Sequence, residues 1–274
     1  MKAGLARVRR RARAYATIFQ VLLQDSLAYR GQAVIWLLTD TVPALVLPLV
    51  WLAAFNGRPA IQGFEPSQIV AYYLLVMSLT NFMVSHVQWD VSNEIKEGRL
   101  SIYLTRPLGY IVFQFLANLS WRAMRTLLFL PILAAAVWLF RGYLRWEGYE
   151  YGLVFWGAVV LGHLLSFLLT YSLGLLALFL VQARDVYNFY YMLAGILTGQ
   201  TIPLAMLPPW LRGAADFLPF RYTLSFAAEI FLGRVDGPAI ERGFLVAVLW
   251  LAGLALLARL LWRTGLRQYT AVGI

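Results

Sequence analysis

The stretch DVSNEIKEGRLSIYLTRPL, residues 90–108, is a polar interruption between long apolar runs, and its place in the chain decides how the runs on either side are read. It gathers Asp90, Glu94, Lys96, Glu97, Arg99 and Arg106 into seventeen positions of a chain in which only 13% of residues are charged. A short helix fits there. Ser92 or Asn93 can cap its start, Gly98 permits a break, and Pro107 ends any helix that reaches it, because proline lacks the amide donor and clashes with the preceding turn. A compact mixed-charge helix in this position is expected to dock a soluble partner.

Composition sets the environment. Of the 274 residues, 61% are hydrophobic and 15% aromatic, and the mean hydropathy is +0.68. These values lie well above the apolar half of a soluble domain, and several apolar runs approach twenty residues, so the expected class is an all-α polytopic membrane protein. The formal charge of +10 suits the Lys- and Arg-rich cytoplasmic loops of such a protein. Nucleic acid is therefore not an expected partner. The absence of cysteine excludes disulfides, thiol catalysis and thiolate metal sites.

The chain reads as one transmembrane domain, 1–274. Residues 1–30 form an amphipathic interfacial helix, with Leu5, Val8, Ala12, Tyr15, Phe19 and Leu22 on one side and Arg7, Arg9, Arg10 and Arg13 on the other. Six spans are expected at 33–55, 67–89, 110–140, 151–181, 186–207 and 239–262, with the charged cytosolic loop 90–108 between the second and third. Pro43 and Pro48 should bend the first span. Between the last two, residues 208–238 carry prolines 208, 209 and 219 among aromatics, and suit a segment that dips part way into the membrane from outside. Basic residues, from Lys2 and Arg11 to Arg263 and Arg267, collect on the side of the 90–108 loop, which places both termini inside.

Catalytic signatures are missing. Lys2 and Lys96 are the only lysines and neither ends a phosphate-binding loop, and no metal-helix or nucleophile-elbow pattern occurs, so no catalytic, metal or cofactor site is expected in this chain. His86 and His163 sit singly in separate spans and read as hydrogen-bonded interhelical residues. Asp40 lies inside the first span, where a bare carboxylate is costly, and Asp40, Asp90, Arg122 and Arg125 are candidates to neutralise one another between the first three helices. Gly195 and Gly199 form G-x-x-x-G, read as a close helix contact within the chain or, as the alternative, between subunits. Two other classes remain open on these residues: an ion-coupled carrier or channel titrating at Asp40, Asp90 and His86, and a membrane anchor for a soluble protein.

The pairing of EIKEGRLSIYLTRPL after the second span with LPFRYTLSFAAEIFLGR before the last resembles the permease subunit of type-2 ABC exporters, in particular a bacterial branch of multidrug or antibiotic efflux permeases. The resemblance covers essentially the whole chain. It implies a multi-pass protein of the bacterial plasma membrane, paired with a second permease, identical or homologous, and driven by separate ATP-binding subunits that hold ATP and magnesium. By that carry-over Glu94, Ile95, Lys96, Glu97, Arg99, Leu100, Tyr103 and Leu104 form the helix seated on the ATPase, and Pro219, Phe220, Arg221 and Glu229 belong to an outer re-entrant element.

Overall fold

The computed structural model describes residues 2–145 and 147–270, most of them helical. Helix α1 (Lys2–Ala28) leads through a one-residue turn into α2 (Arg30–Phe55). The chain returns through α3 (Pro66–Met83) and α4 (Gln88–Lys96), turns through α5 (Leu100–Leu104), and crosses again as α6 (Tyr110–Phe140) and α7 (Leu153–Leu175). Beyond them lie α8 (Arg184–Leu197), the short helices α9 (Pro209–Ala215), α10 (Pro219–Thr223) and α11 (Ser225–Phe231), and the long α12 (Gly237–Gly265). Among the described residues, five segments are long and apolar enough to cross a bilayer: Arg30–Phe55, Pro66–Lys96, Tyr110–Phe140, Leu153–Leu178 and Gly237–Gly265. The side chains of Lys2, Leu5, Arg7, Val8, Arg10, Arg11 and Pro43 lie outside the described residues.

Three sequence expectations change. The second span, expected as one helix over 67–89, breaks after Met83 and resumes at Gln88, so Ser92 and Asn93 lie inside α4 rather than at its cap. The helical part of the expected fifth span, 186–207, is only α8, whose 14 residues extend about 21 Å against a hydrocarbon core of about 30 Å. Its continuation fails because the polar turn after it is claimed by α3: the Tyr72 hydroxyl donates to the Gly199 carbonyl at 2.7 Å and the Tyr73 hydroxyl to that of Thr201 at 2.8 Å. Gly199 therefore shares no helix face with Gly195. It lies past the end of α8 at φ +77°, a conformation open to glycine at little steric cost.

Two ends of the bundle are distinguished by their contacts. At one, the connections after α2, α6 and α11 meet: the Glu150 amide donates to the Phe231 carbonyl at 2.8 Å, Arg234 donates to the Gly63 carbonyl at 3.2 Å, and Arg145 pairs with Glu65. At the other, α4 and α5 join the start of α6 and the end of α12, where the Tyr110 ring stacks on Trp262 with centroids 5.2 Å apart and the Tyr269 hydroxyl donates to the Gly98 carbonyl at 3.0 Å. Helix α1 packs against α6, and Ser120 Oγ donates to the Phe19 carbonyl at 3.3 Å.

Helix α7 is the common neighbour of α3, α4, α10, α11 and α12. The short helix α10 reaches it at Gly162, about 14 Å along α7 from its first residue, so the proline-broken segment penetrates the bundle. The approach has no room for a side chain: a Cβ at Gly162 would stand 2.7 Å from the Tyr222 carbonyl oxygen and 2.2 Å from Met83 Cε. Gly162→Ala is expected to lower stability by about 1–3 kcal/mol through overpacking, despite alanine's better helix propensity. Gly253→Ala, with nothing within 4 Å, should be neutral or mildly stabilising. Thermal unfolding of the two purified variants checks the difference in sign.

Candidate coupling site and intramembrane polar network

The interruption at residues 84–87 is built from side chains of α6 and α7. The Ser85 amide donates to Ser166 Oγ at 2.9 Å, and Ser85 Oγ donates to Asn118 Oδ1 at 3.1 Å. Asn118 Nδ2 approaches His163 Nε2 at 3.4 Å, and His163 Nδ1 lies 3.2 Å from the Met83 carbonyl. A carbonyl only accepts, so the His163 proton is assigned to Nδ1, leaving Nε2 to accept from Asn118. Every role in this loop is then consistent, and the Ser85 amide and the Met83 carbonyl, released by the helix break, find partners where water is scarce.

One turn further along α6, Arg122 donates to the Asn81 carbonyl at 3.3 Å and lies 3.0 Å from His86 Nδ1. A guanidinium has no acceptor, so this ring nitrogen is the unprotonated one. Arg125 pairs with Asp40 of α2 at 2.5 Å, the arginine side chain being 3% exposed and the carboxylate 30%. Asp90, in the first turn of α4, pairs with neither arginine among the described residues, so only one of the two expected acids neutralises a base here. The cluster of two arginines and one carboxylate holds a formal excess of one positive charge, shared through Asn81 and His86.

The α4–α5 stretch has two faces. Glu94, 8% exposed, turns inward and accepts from the Tyr110 hydroxyl at 2.5 Å and from Gln114 Nε2 at 2.7 Å; Ile95 and Leu100 are buried beside it. Gly98, at φ +72°, makes the sharp reversal between α4 and α5. Tyr103 is half-buried against Phe113, with centroids 4.7 Å apart, and Arg106 lies 5.0 Å over its ring. Burial first, and then the nearby Glu94 charge, push the Tyr103 phenol up to about 12. The outward face carries Asn93, Glu97, Arg99, Ile102, Leu104 and Arg106, with Lys96 half-buried at its edge. The Arg99–Glu97 pair at 2.7 Å is exposed on both sides and contributes at most about 1 kcal/mol, so it shapes the surface more than it stabilises it.

At the opposite end, Pro219 begins α10 and is buried, while Phe220 packs against Tyr190 with centroids 5.9 Å apart. Arg221 binds Glu229 Oε2 through Nη2 at 2.6 Å and Nε at 3.2 Å, and its Nη1 bonds Asp216. Glu229 also accepts from Ser225 Oγ at 3.2 Å. This clamp ties α9, α10 and α11 into one unit.

Several of these residues carry a sequence signal that composition hides. Tyr110, Gln114, Asn118 and Arg122 recur every fourth position, with Arg125 three further on, and all five are buried. Such a stripe marks one face of α6 as a polar spine. Ile102, 53% exposed, is a large apolar side chain on the outward face of α5. Ser85, Ser166 and Asp216 have no comparable pattern.

Long apolar helices, a spanning segment broken at a buried polar network, and a short-helix segment inserted from one end define a polytopic membrane protein with a polar interior. The sequence model described as ABC-2 family transporter protein matches residues 42–273, and the chain belongs to that family. Its place there is that of a transmembrane component rather than a catalytic subunit, and membership implies association with ATP-binding subunits. Comparison with curated proteins finds no match.

Asp40 is expected to matter for stability because its loss leaves Arg125 buried and unpaired. Asp40→Leu should cost about 3 kcal/mol, and adding Arg125→Met should recover most of it, since apolar replacement of a buried ion pair is often neutral. Unfolding midpoints of the single and double variants in detergent measure both effects.

Proposed function

We propose that this chain is the permease of an ATP-driven exporter in the bacterial plasma membrane, with both termini and the α4–α5 stretch on the cytoplasmic side and α9–α11 entering from outside. Two permeases, identical or homologous, form the path for a hydrophobic or amphipathic cargo, and separate ATP-binding subunits drive it. Family membership supports the division of labour, and the resemblance to bacterial efflux permeases supports the direction.

The observation that carries this reading is the construction of the α4–α5 stretch. Its inner face is fixed to the start of α6 by the buried Glu94, Tyr110 and Gln114 cluster, while its outer face presents charged and apolar groups to solvent. A knob that is rigid within its own chain and unpaired outward can transmit a push. Helix α4 is joined to α3 only through residues 84–87, so displacement of the stretch by ATPase closure is turned there into relative movement of the two halves of the second span. Binding shifts the inward- and outward-open populations only by the difference in its contacts with each.

Arg99→Glu and Ile102→Asp, both on exposed positions, are expected to reduce co-purification with the ATP-binding subunit by about tenfold or more, equivalent to about 1.4 kcal/mol, while leaving the unfolding midpoint of the permease unchanged. Glu94→Ala should instead lower that midpoint, because it strands the Tyr110 and Gln114 donors. Undiminished co-purification of both exposed variants, together with cargo movement in vesicles under an ion gradient without ATPase, would replace this reading with an ion-coupled carrier.

A further inference from the structure

A cavity of about 490 Å³ opens at the end of the bundle away from α4–α5, between α9–α11, the connection after α2 and the start of α12. Its volume lies within the roughly 300–1,000 Å³ of small-molecule sites. Four arginines line it, Arg212, Arg221, Arg234 and Arg242, against two carboxylates, Asp216 and Glu229, a formal excess of 4 − 2 = 2 positive charges. Both carboxylates are committed to Arg221. Among the described residues, no carboxylate pairs with Arg212, Arg234 or Arg242. Arg234 is held flat, its guanidinium carbon 3.6 Å from the centroid of the Phe64 ring.

The same cavity has an oily border. Phe217 lines it and is 75% exposed, and Leu204 and Val246 contribute further apolar wall. Along α12 beyond Arg242, outside the cavity itself, the side chains of Leu245, Val248 and Leu249 are all more than half exposed, an apolar face beside the cavity's rim. Guanidinium groups match the paired oxygens of a phosphate, and their uncompensated charge selects a ligand with net negative charge over a zwitterion.

We propose that this cavity binds the phosphate-bearing anionic headgroup of an amphiphile, with Arg212, Arg234 and Arg242 as its donors and the exposed face of α12 as the seat of its tail. The site does not depend on which side of the membrane α4–α5 faces, nor on how the protein is driven, so it stands or falls apart from the proposed transport role.

The test is thermal unfolding of the purified full chain in a non-ionic detergent, titrated with dioleoylphosphatidylglycerol, dioleoylphosphatidylcholine or glycerol 3-phosphate. Phosphatidylglycerol should raise the midpoint where phosphatidylcholine does not. The Arg212→Gln/Arg242→Gln variant, altered at two exposed positions, should keep its unliganded midpoint and require about tenfold more phosphatidylglycerol, the factor expected for loss of charge-assisted contacts. Arg263→Gln/Arg267→Gln, at the other end of α12, should respond as the parent does. Glycerol 3-phosphate acting as strongly as the lipid would confirm the anion site and assign it to a soluble phosphate ester. Equal stabilisation by both lipids, or an equal loss in the Arg263/Arg267 variant, would overturn the proposal.

Discussion

The arrangement of this protein depends on how the break at residues 84–87 is satisfied. A helix interrupted inside a membrane exposes amides and carbonyls that have no water to turn to, each costing several kcal/mol if left alone. Here Ser166 and His163 of α7 partner the Ser85 amide and the Met83 carbonyl, Asn118 of α6 holds Ser85 Oγ and the His163 ring in place, and Arg122 adds a donor to the Asn81 carbonyl. The break therefore exists only in the presence of α6 and α7, and it fixes their register against the second span. Because the partners are side chains rather than a continuous backbone ladder, the two halves of the span are coupled without being a single rod.

The adjoining charges obey the same logic. Arg125 is buried and finds its carboxylate on α2, most of which is not enclosed by the bundle, so the ion pair fastens a sparsely packed long helix to the rest. Arg122 has a histidine and a carbonyl in place of a carboxylate. Polar groups at successive turns of α6 thus address, in order, the α4–α5 stretch, the break, and α2. One helix face links the proposed contact surface for the ATP-binding subunits to the membrane interior, and each member depends on a different neighbour for its partner.

The two ends of the bundle are specialised by different chemistry. Around Glu94, aromatic rings and a buried carboxylate make a firm base with a mixed-charge outer surface. Around Arg221, bonds to Glu229 and Asp216 gather three short helices, none long enough to be stable alone, and α10 and α11 sit against glycine positions on α7 and α12 where a side chain would not fit. The other arginines there, Arg212, Arg234 and Arg242, donate to backbone carbonyls rather than to carboxylates, so their charge is not neutralised by the clamp.

The sequence by itself determined the class: apolar runs of membrane-spanning length cannot be satisfied as a soluble domain, and the charged stretch at 90–108 divides them in a way that residue order alone reveals. It also singled out Asp40, Asp90, Arg122 and Arg125 as charges to be neutralised among the first helices, of which Asp40, Arg122 and Arg125 come together and Asp90 does not, and the proline pattern marked residues 208–238 as irregular. What only the tertiary structure decided was which groups meet. Nothing local in Ser85 or His86 breaks a helix, so the interruption comes from competition by side chains distant in sequence, and the shortening of α8 from the Tyr72 and Tyr73 hydroxyls in the same way. Glu94 illustrates the limit: in sequence it is one of several charges on an exposed loop, but on a helix whose inner face meets Tyr110 and Gln114 it becomes a buried acceptor, because the direction of a side chain is set by the neighbour its helix packs against.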